Sequence, residues 1–348
     1  MARGVHRGAG ARARVTRVLF VHSGKASFVA TDREILAESY EIEDLYQPGR
    51  VPNPVAVVGG VLRADLVFGW FASWHTFFPI TLAWLLRKPS VLVVGGFDTA
   101  NMPDIGYGHQ RGGFRRWASR WIMRRAGWLI THSEYSLSEI ERNTPIPRGR
   151  VAVVHLGVPD PFGESPVDKQ REALTVGAVN RNTLVQKGQL AFVRAAAELP
   201  DVRFVFAGRW LDDAIDTLRA AAPANVEFTG WLPDADLQAR FRRAAVYVQA
   251  SRHEGFGLAV AEAMLARCVP VVMNATAMPE VVGETGVLIE SQRPEEVAAG
   301  MRRALELGPD AGGRARRRIL GQFPLERRRE GVRRVVGEAL SGAPQSSQ

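Results

Sequence analysis

Cysteine, lysine and long apolar runs are scarce in this chain, and each scarcity excludes a class of protein. A single cysteine among 348 residues rules out a framework of internal disulfides and fits a reducing compartment such as the cytosol. Cys268 lies in the apolar run 268–272, so we interpret it as a buried structural thiol rather than a nucleophile. Only four of the 45 lysine and arginine residues are lysines, and this arginine skew runs through the whole chain.

The basic charge is not accompanied by a nucleic-acid-binding module. The formal net charge is +9 and the pI is about 10.3, yet the sequence has no zinc-finger spacing, RNA-binding aromatic signature or DNA-reading helix pair. We therefore predict no nucleic-acid partner. The charge is interpreted either as a solvated surface or as a face for anionic lipid or a phosphate-bearing substrate. Residues 1–15 lack the apolar segment of a secretory signal, so we predict a disordered leader there.

Two further absences concern membranes and dinucleotides. The run of residues 66–86 is nearly uncharged and long enough to suggest a membrane span, but Gly69, His75 and Pro79 interrupt it. We predict a buried strand at 66–69, a loop, and a helix from about Pro79 to Leu86. The first predicted strand ends in His22-Ser23-Gly24-Lys25, without the Gly-X-Gly-X-X-Gly fingerprint of a nicotinamide-dependent oxidoreductase.

The chain does contain a regular alternation of short apolar runs and amphipathic segments. With helices between them, predicted strands occupy residues 16–22, 66–69, 90–94, 128–132, 151–155, 173–177, 202–207, 226–228, 246–249 and 269–272. This alternation predicts an α/β protein with two Rossmann-like, doubly wound parallel-sheet domains that face a cleft. Three prolines and two glycines mark a linker at 157–166. We predict domains at 16–162 and 163–324, with a helix at about 325–341 crossing back to the first domain.

Two glutamates bracket a glycine-containing turn in the second half. Glu254 precedes the turn, and Glu262 lies about one turn into a helix predicted at 258–267. The residues of the turn are Gly255, Phe256, Gly257 and Leu258. Their backbone N–H groups and the positive end of the helix suit a phosphate. A carboxylate at Glu262 suits ribose hydroxyls, a bond of roughly 1.5–3 kcal/mol; the alternative is a glutamate favoured by the helix dipole alone.

Two cations and a second turn extend this pattern. Arg181 and Lys187 follow the predicted strand at 173–177, where loop cations neutralise a diphosphate. The strand at 226–228 ends in a turn that includes Gly230 and Leu232, whose backbone groups suit the edge of a nucleobase. Hydroxyls, phosphates and a base occur together in a nucleotide sugar.

These residues resemble the family 4 (group 1) retaining glycosyltransferases, which have the two-domain GT-B fold. The family signature is a glutamate, seven intervening residues and a second glutamate with Phe-Gly between them, here Glu254 and Glu262 around Phe256-Gly257. The resemblance is strong over about residues 129–307 and weak before them. Further matches are Val176-Gly177, Lys187-Gly188, Ala207-Gly208, Ser251, Pro279-Glu280-Val281, Ser133-Glu134-Tyr135-Ser136 and Gly157-Val158.

The resemblance implies a role for each residue. Glu262 would bind the ribose and Glu254 the hydroxyls of the donor sugar, while Arg181 and Lys187 would hold the diphosphate and stabilise it as a leaving group. Residues 255–258 would bind phosphate through their backbone, and the turn at 230–232 would bind the base. The co-substrate would be a GDP- or UDP-linked sugar, and neither a cofactor nor a metal ion is expected.

The first domain departs from the family where a histidine often stands near the reacting carbon. Gly95 occupies that place. We take Asp98 and His75 as the candidate catalytic residues of this domain, with a structural loop histidine as the alternative for His75. The acceptor is expected to be a glycan or a glycolipid.

Two other segments admit two interpretations each. Asp234-Ala235-Asp236 imitates a metal-binding motif, but we predict that Asp234 caps a helix. In residues 111–125, aromatic side chains recur at helical spacing among arginines. This pattern fits an aromatic stripe packed on the sheet, or a helix on an anionic membrane surface.

The sequence therefore predicts a cytoplasmic, retaining hexosyltransferase that serves cell-envelope polysaccharide or glycolipid synthesis, with peripheral membrane association as a further hypothesis. The alternative is a non-catalytic sugar-nucleotide or glycan-binding protein of the same fold.

Overall fold

Strands and helices alternate throughout the chain, which a computed structural model describes over residues 15–24, 26–49, 52–164 and 168–342. Most of the predicted leader, Lys25 and the linker residues Ser165 and Pro166 lie outside this part. The strands are β1 Arg17–His22, β2 Glu41–Tyr46, β3 Leu66–Trp70, β4 Ser90–Val93, β5 Trp128–Thr131, β6 Val151–Val153, β7 Gln170–Val176, β8 Arg203–Ala207, β9 Val226–Gly230, β10 Ala244–Gln249, β11 Val269–Met273 and β12 Val287–Ile289. The helices are α1 Ser27–Ala37, α2 Pro54–Arg63, α3 Trp74–Leu85, α4 Gly113–Arg125, α5 Glu134–Asn143, α6 Thr183–Gln186, α7 Gln189–Ala195, α8 Ala214–Ala221, α9 Asp234–Arg243, α10 Leu258–Leu265, α11 Met278–Val282, α12 Pro294–Glu306, α13 Gly308–Gln322 and α14 Leu325–Ser341.

The strands form two parallel sheets within the described residues. Their orders are β2-β1-β3-β4-β5-β6 and β12-β11-β10-β7-β8-β9. In each sheet the chain begins at an interior strand, builds the sheet toward one edge and then crosses back to build it toward the other. The strand order therefore reverses beside β1 in the first sheet and beside β7 in the second. Ligands of doubly wound sheets bind at the carboxyl ends of the strands near such a reversal. The predicted fold class, two doubly wound parallel sheets, is confirmed.

The elements that were not predicted from the sequence include β2, α2 and β12. The edge strand β2 reads Glu-Ile-Glu-Asp-Leu-Tyr and carries too much charge to resemble a buried strand. The helix α2 is rich in valine and glycine, which favour other structures, but Asn53 caps it by accepting bonds from Val55 N and Ala56 N. The strand β12 has three residues, below the length that periodicity can identify.

Residues 66–86 form a strand and a helix, as predicted. The helix begins at Trp74, five residues before the predicted start, so Pro79 lies inside α3 rather than at its first turn. Among the helices that the structure describes, none has both the length and the apolarity required to cross a bilayer.

The last helix returns to the first sheet. The helical structure is interrupted at Phe323-Pro324, and α14 then packs against α1. Arg328 in α14 forms a two-point ion pair with Asp32 in α1, at 2.6 and 2.8 Å, and donates to Val154 O at 2.6 Å. Both side chains of the pair are 1% exposed. A fully buried, hydrogen-bonded ion pair therefore ties the C-terminus to the first domain.

Two local predictions have opposite outcomes. Cys268 is buried, and its thiol contacts the carbonyl oxygens of Phe241 and Ala244 at 3.2 Å, so the prediction of an enclosed thiol is confirmed. The prediction that Asp234 caps α9 is wrong. Pro233 holds the cap position and Asp234 is the first helical residue, where its charge still favours the helix dipole.

Candidate functional site

The turn after β10 carries the two glutamates of the sequence pattern. It ends at Gly257, whose φ of 95° is unfavourable for any residue with a Cβ, and α10 starts at Leu258. The side chain of Phe256 is 3% exposed and packs edge-to-face on Phe323 at 5.2 Å, which anchors the turn. The backbone of Gly255 and Gly257 is therefore held at the positive end of α10 without a side chain between it and a ligand.

Glu254 is held ionised at the start of this turn. Its Oε1 accepts bonds from Lys187 Nζ at 2.5 Å, Gln249 Nε2 at 2.6 Å and Ser251 Oγ at 2.9 Å. Burial on its own raises the pKa of the carboxyl, but the Lys187 ammonium and these hydrogen bonds outweigh it and keep the pKa below its ordinary value. The structure therefore joins Lys187 and Glu254, which are 67 residues apart, in one charged pair.

Arg181 does not belong to that pair. Its guanidinium binds Asp213 at 2.6 and 2.9 Å, and its side chain is 75% exposed. Its backbone N–H donates to Asp212. Water and salt screen an ion pair this exposed, so releasing the guanidinium toward a bound diphosphate costs little. The diphosphate role of Arg181 stays a prediction.

Glu262 lies in the second turn of α10, facing the start of α9. Burial, and then the nearby charge of Asp234, raise the pKa of its carboxyl to about 7. The carboxylate makes no hydrogen bond to any residue that the structure describes. The neighbouring turn holds Gly230 at a φ of 71°, with the Trp210 ring 3.7 Å from where a Cβ would lie. A half-buried acceptor beside an exposed tryptophan and a backbone turn suits a nucleoside.

The raised pKa of Glu262 gives a pH-dependent prediction. A ribose hydroxyl pair needs the ionised carboxylate, so nucleoside diphosphate affinity is expected to fall up to about tenfold for each pH unit below about 7. Calorimetric titrations one unit above and one unit below this value measure the change. For the free protein the sign is opposite, because a carboxyl with a raised pKa favours the folded state more as pH falls from about 7.

The Glu262→Gln variant is the matched control for this titration, since it keeps the shape and removes the charge. Its affinity should change with pH only as much as the ionisation of the diphosphate itself requires. An equal pH dependence in both proteins contradicts the assignment of Glu262 to the ribose.

A cavity of 790 Å³ opens in the first domain, and both predicted catalytic residues of that domain line it. Asp98 accepts from Ala72 N and Gly95 N at 2.9 Å, and burial raises the pKa of its carboxyl to about 7. A ring nitrogen of His75 lies 2.6 Å from Trp70 O, and burial lowers its pKa. Both side chains thus brace loops of the cavity wall, and their catalytic role stays a prediction.

The space beside Gly95 is occupied by a histidine from the next strand. A Cβ built on Gly95 would lie 2.8 Å from Cδ2 of His132, which follows β5. His132 stacks on Trp70 at 5.4 Å, and burial lowers its pKa to about 3. The sequence shows both residues but not this proximity, because their loops meet only when β4 and β5 pair.

The turn of the second domain is also the contact between the domains. Ser133 Oγ and Ser136 Oγ, at the start of α5, donate to Gly255 O at 2.7 and 3.1 Å. In the same interface His253 Nε2 lies 2.9 Å from Glu139 Oε1, with both side chains buried. Gly96 N lies 3.2 Å from where a Cβ on Gly255 would stand, and the neighbouring Phe97 lines the first-domain cavity, so the cavity lies next to the Glu254 turn.

A second contact across the interface involves the same end of α5. Glu280 in α11 accepts from the backbone N–H groups of Glu134 and Tyr135 and lies 2.6 Å from His155 Nε2. Burial raises the pKa of this carboxyl, but the opposing effect of His155 and the two N–H groups is larger, so the pKa lies below its ordinary value. A carboxylate of one domain thereby caps a helix of the other.

Two family profiles match successive halves of this structure. The profile of Glycosyltransferase Family 4 matches residues 11–160, which contain the first sheet. The profile of Glycosyl transferases group 1 matches residues 170–307, which contain the second sheet and the Glu254 turn. The chain belongs to the family 4, group 1 glycosyltransferases. Together the two matches cover well over half of the chain.

Relatives within this glycosyltransferase family are known from bacteria. The O-antigen chain mannosyltransferase B of Escherichia coli is 29% identical over 196 residues, which is 51% of each chain. The GDP-mannose:cellobiosyl-diphosphopolyprenol alpha-mannosyltransferase of Komagataeibacter xylinus is 33% identical over 110 residues, 30% of this chain and 27% of that one. The chain thus spans about half the length of the first relative and less of the second.

A solved structure confirms the architecture expected of the family. The Anabaena HepE protein, crystallised with UDP and glucose, superposes with a TM-score of 0.73 at 16% identity, over 93% of this chain and all of that one. At this identity the likeness concerns the fold alone. Within the described residues, no group of three or more His, Cys, Asp or Glu side chains has a metal-holding arrangement.

Proposed function

We propose that the protein is a retaining glycosyltransferase that moves a sugar from a nucleotide-diphosphate sugar to a glycan or lipid-linked acceptor of the cell envelope. The observation that carries the proposal is the Lys187–Glu254 pair at the positive end of α10, with the unbonded Glu262 on the same helix. The pair, the turn and α10 thus present groups for a diphosphate, a sugar and a ribose side by side.

In this proposal each group of the second domain acts on a separate part of the donor. Glu262 accepts bonds from the ribose, and the turn at 230–232 meets the base. Lys187, the N–H groups of the turn and a released Arg181 stabilise the charge that develops on the diphosphate as it leaves. Glu254 accepts bonds from hydroxyls of the transferred sugar.

The reaction class follows from the balance of bonds. The bond from the anomeric carbon to the phosphate oxygen breaks, and a bond to the acceptor oxygen forms on the same face. The acceptor proton passes to the departing phosphate, so no protein nucleophile is required. The first-domain cavity, beside the Glu254 turn, is the proposed acceptor site.

Mannose from GDP-mannose is the first donor to test, because both bacterial relatives are named mannosyltransferases. Thermal unfolding should be measured with GDP, GDP-mannose, UDP and UDP-glucose. A ligand at 100 times its Kd stabilises the folded protein by about 2.7 kcal/mol. If no nucleoside diphosphate raises the Tm, the proposal is contradicted.

Turnover separates the enzyme from a binding protein of the same fold. Release of nucleoside diphosphate that depends on an acceptor supports a transferase, and the product anomer should match that of the donor by NMR. Binding without release supports the non-catalytic alternative, and an inverted product contradicts the retaining mechanism.

A further inference from the structure

Three neighbouring helices of the first domain expose an apolar surface. α3 packs between α2 and α4 on one side of the sheet. We define the apolar face of α2–α4 by the large side chains that are 46–81% exposed, which are Val55, Val58, Leu62, Phe78, Trp84, Leu85, Phe114 and Trp117. On α2 and α4 these residues are spaced three or four positions apart, which places them along one stripe of each helix. Contiguous apolar surface of this kind marks a contact with a partner.

The structure excludes the interpretation that α4 buries its aromatic stripe on the sheet. The buried residues of α4 are Ala118, Ser119, Ile122 and Met123. Phe114 and Trp117 instead stack along the outside, 5.1 Å apart, and Trp74 of α3 stacks on Phe114 at 5.1 Å. The aromatic rings form a ladder across two helices in contact with solvent.

The charge around this face has one sign. None of the three helices contains an aspartate or glutamate, whereas α4 carries five arginines. Arg115, Arg116 and Arg124 form no ion pair with any residue that the structure describes. In α14, by contrast, Arg329, Arg333 and Arg334 all pair with glutamates. These arginines of α4 are therefore available to anions from outside the chain.

From these observations we infer that the apolar face of α2–α4 docks on the surface of an anionic lipid bilayer. Tryptophan and arginine side chains are suited to the boundary between headgroups and acyl chains. Arg125 already lies 3.0 Å from the Trp121 ring centre and 4.7 Å from that of Trp84, so it holds α3 and α4 together at this surface.

The docked face leads to the cavity of the first domain. Trp74, Phe114 and Arg115 line the cavity and border the apolar face. A headgroup that remains attached to its lipid would therefore reach the cavity from the bilayer, without passing through water. This delivery of a lipid-linked acceptor rests on the proposed function, whereas the docking itself does not.

Vesicle flotation of the full chain tests the docking. The protein should float with vesicles of phosphatidylglycerol and phosphatidylcholine, less as salt rises, and not with phosphatidylcholine alone. The paired Arg116→Gln, Arg124→Gln variant should bind the mixed vesicles about 25-fold more weakly, since each arginine contributes a factor of about five. The matched control is Arg314→Gln, Arg317→Gln, which removes from α13 two exposed arginines that form no ion pair within the described part of the chain, and it should bind as the wild type does.

A second pair of variants tests the apolar contribution. Leu62→Ser with Trp117→Ser should reduce flotation, whereas Leu320→Ser, at an exposed position of α13, should not. Thermal stabilisation by GDP or UDP should be unchanged in all these variants, because the donor site lies in the other domain. If GDP and UDP fail to stabilise the wild type, the proposed function is contradicted, but the flotation result can still be interpreted on its own. Absence of salt-sensitive flotation overturns the docking, as does a self-associated dimer that Trp117→Ser dissociates.

Discussion

Replacing Lys187 by alanine is expected to lower kcat/KM by about 10²–10³, because a preorganised positive charge next to the leaving group is lost. The loss has a second component. Lys187 Nζ lies 2.5 Å from Glu254 Oε1, and its charge opposes the effect of burial on the pKa of that carboxyl. Without the ammonium, the Glu254 carboxyl should titrate at a higher pH, so the residual activity should rise toward alkaline pH. Steady-state kinetics over a pH series measures both components.

The matched control is Arg171→Ala on the same strand-and-loop segment. Arg171 pairs with Asp201 at the amino end of β7, far along the strand from Lys187, and both side chains of this pair are exposed. Its kinetics should be those of the wild type. Wild-type turnover by Lys187→Ala, with the fold intact, would remove the Lys187–Glu254 pair from the mechanism.

Replacing Arg328 by alanine is expected to destabilise the first domain by about 3–5 kcal/mol. The substitution leaves the Asp32 carboxylate buried without its cation and Val154 O without its donor. Chemical denaturation followed by fluorescence measures the loss.

Arg329, the next residue in α14, is the control for this substitution. It pairs with Glu38 and Glu326 at the surface, where water screens the charges, so Arg329→Ala should lower the stability far less than Arg328→Ala does. The double replacement Asp32→Leu, Arg328→Met should recover much of the stability, because it removes both charges together. Equal losses of folding free energy in Arg328→Ala and Arg329→Ala would show that burial of the Asp32–Arg328 pair does not contribute to the effect.

The sequence predicted which residues of the second domain lie together better than it predicted the contacts of the first domain. Lys187, Glu254 and Glu262 all follow strands or start helices, and parallel sheets bring such positions to one edge whatever lies between them. The pair formed by Lys187 and Glu254 was therefore foreseeable as a neighbourhood, though not as a bond. The ion pair between Arg181 and Asp213 was not foreseeable. The two residues are 32 positions apart in the sequence, and a surface pair of this kind depends on the conformations of both loops.

The acceptor half depends on contacts that no local pattern encodes. Asp98 and His75 were predicted as catalytic residues from their positions, and the structure shows their polar atoms bound to backbone groups of the cavity wall. His132 fills the space beside Gly95 only because β4 and β5 are neighbours. Likewise, the aromatic stripe of α4 has the same spacing whether it faces the sheet or the solvent, and only the packing of α3 against α4 decides between them.

The two serine hydroxyls on Gly255 O have a consequence for how the cleft works. The peptide unit whose oxygen binds the first domain belongs to the turn whose N–H groups are proposed to bind phosphate. Occupancy of the donor site and closure of the cleft are thus linked quantities: any factor by which a nucleotide favours the closed cleft is the factor by which closure favours the nucleotide. Ser133 and Ser136 have no proposed part in binding either substrate, yet they are positioned to set how long a spent nucleotide remains bound.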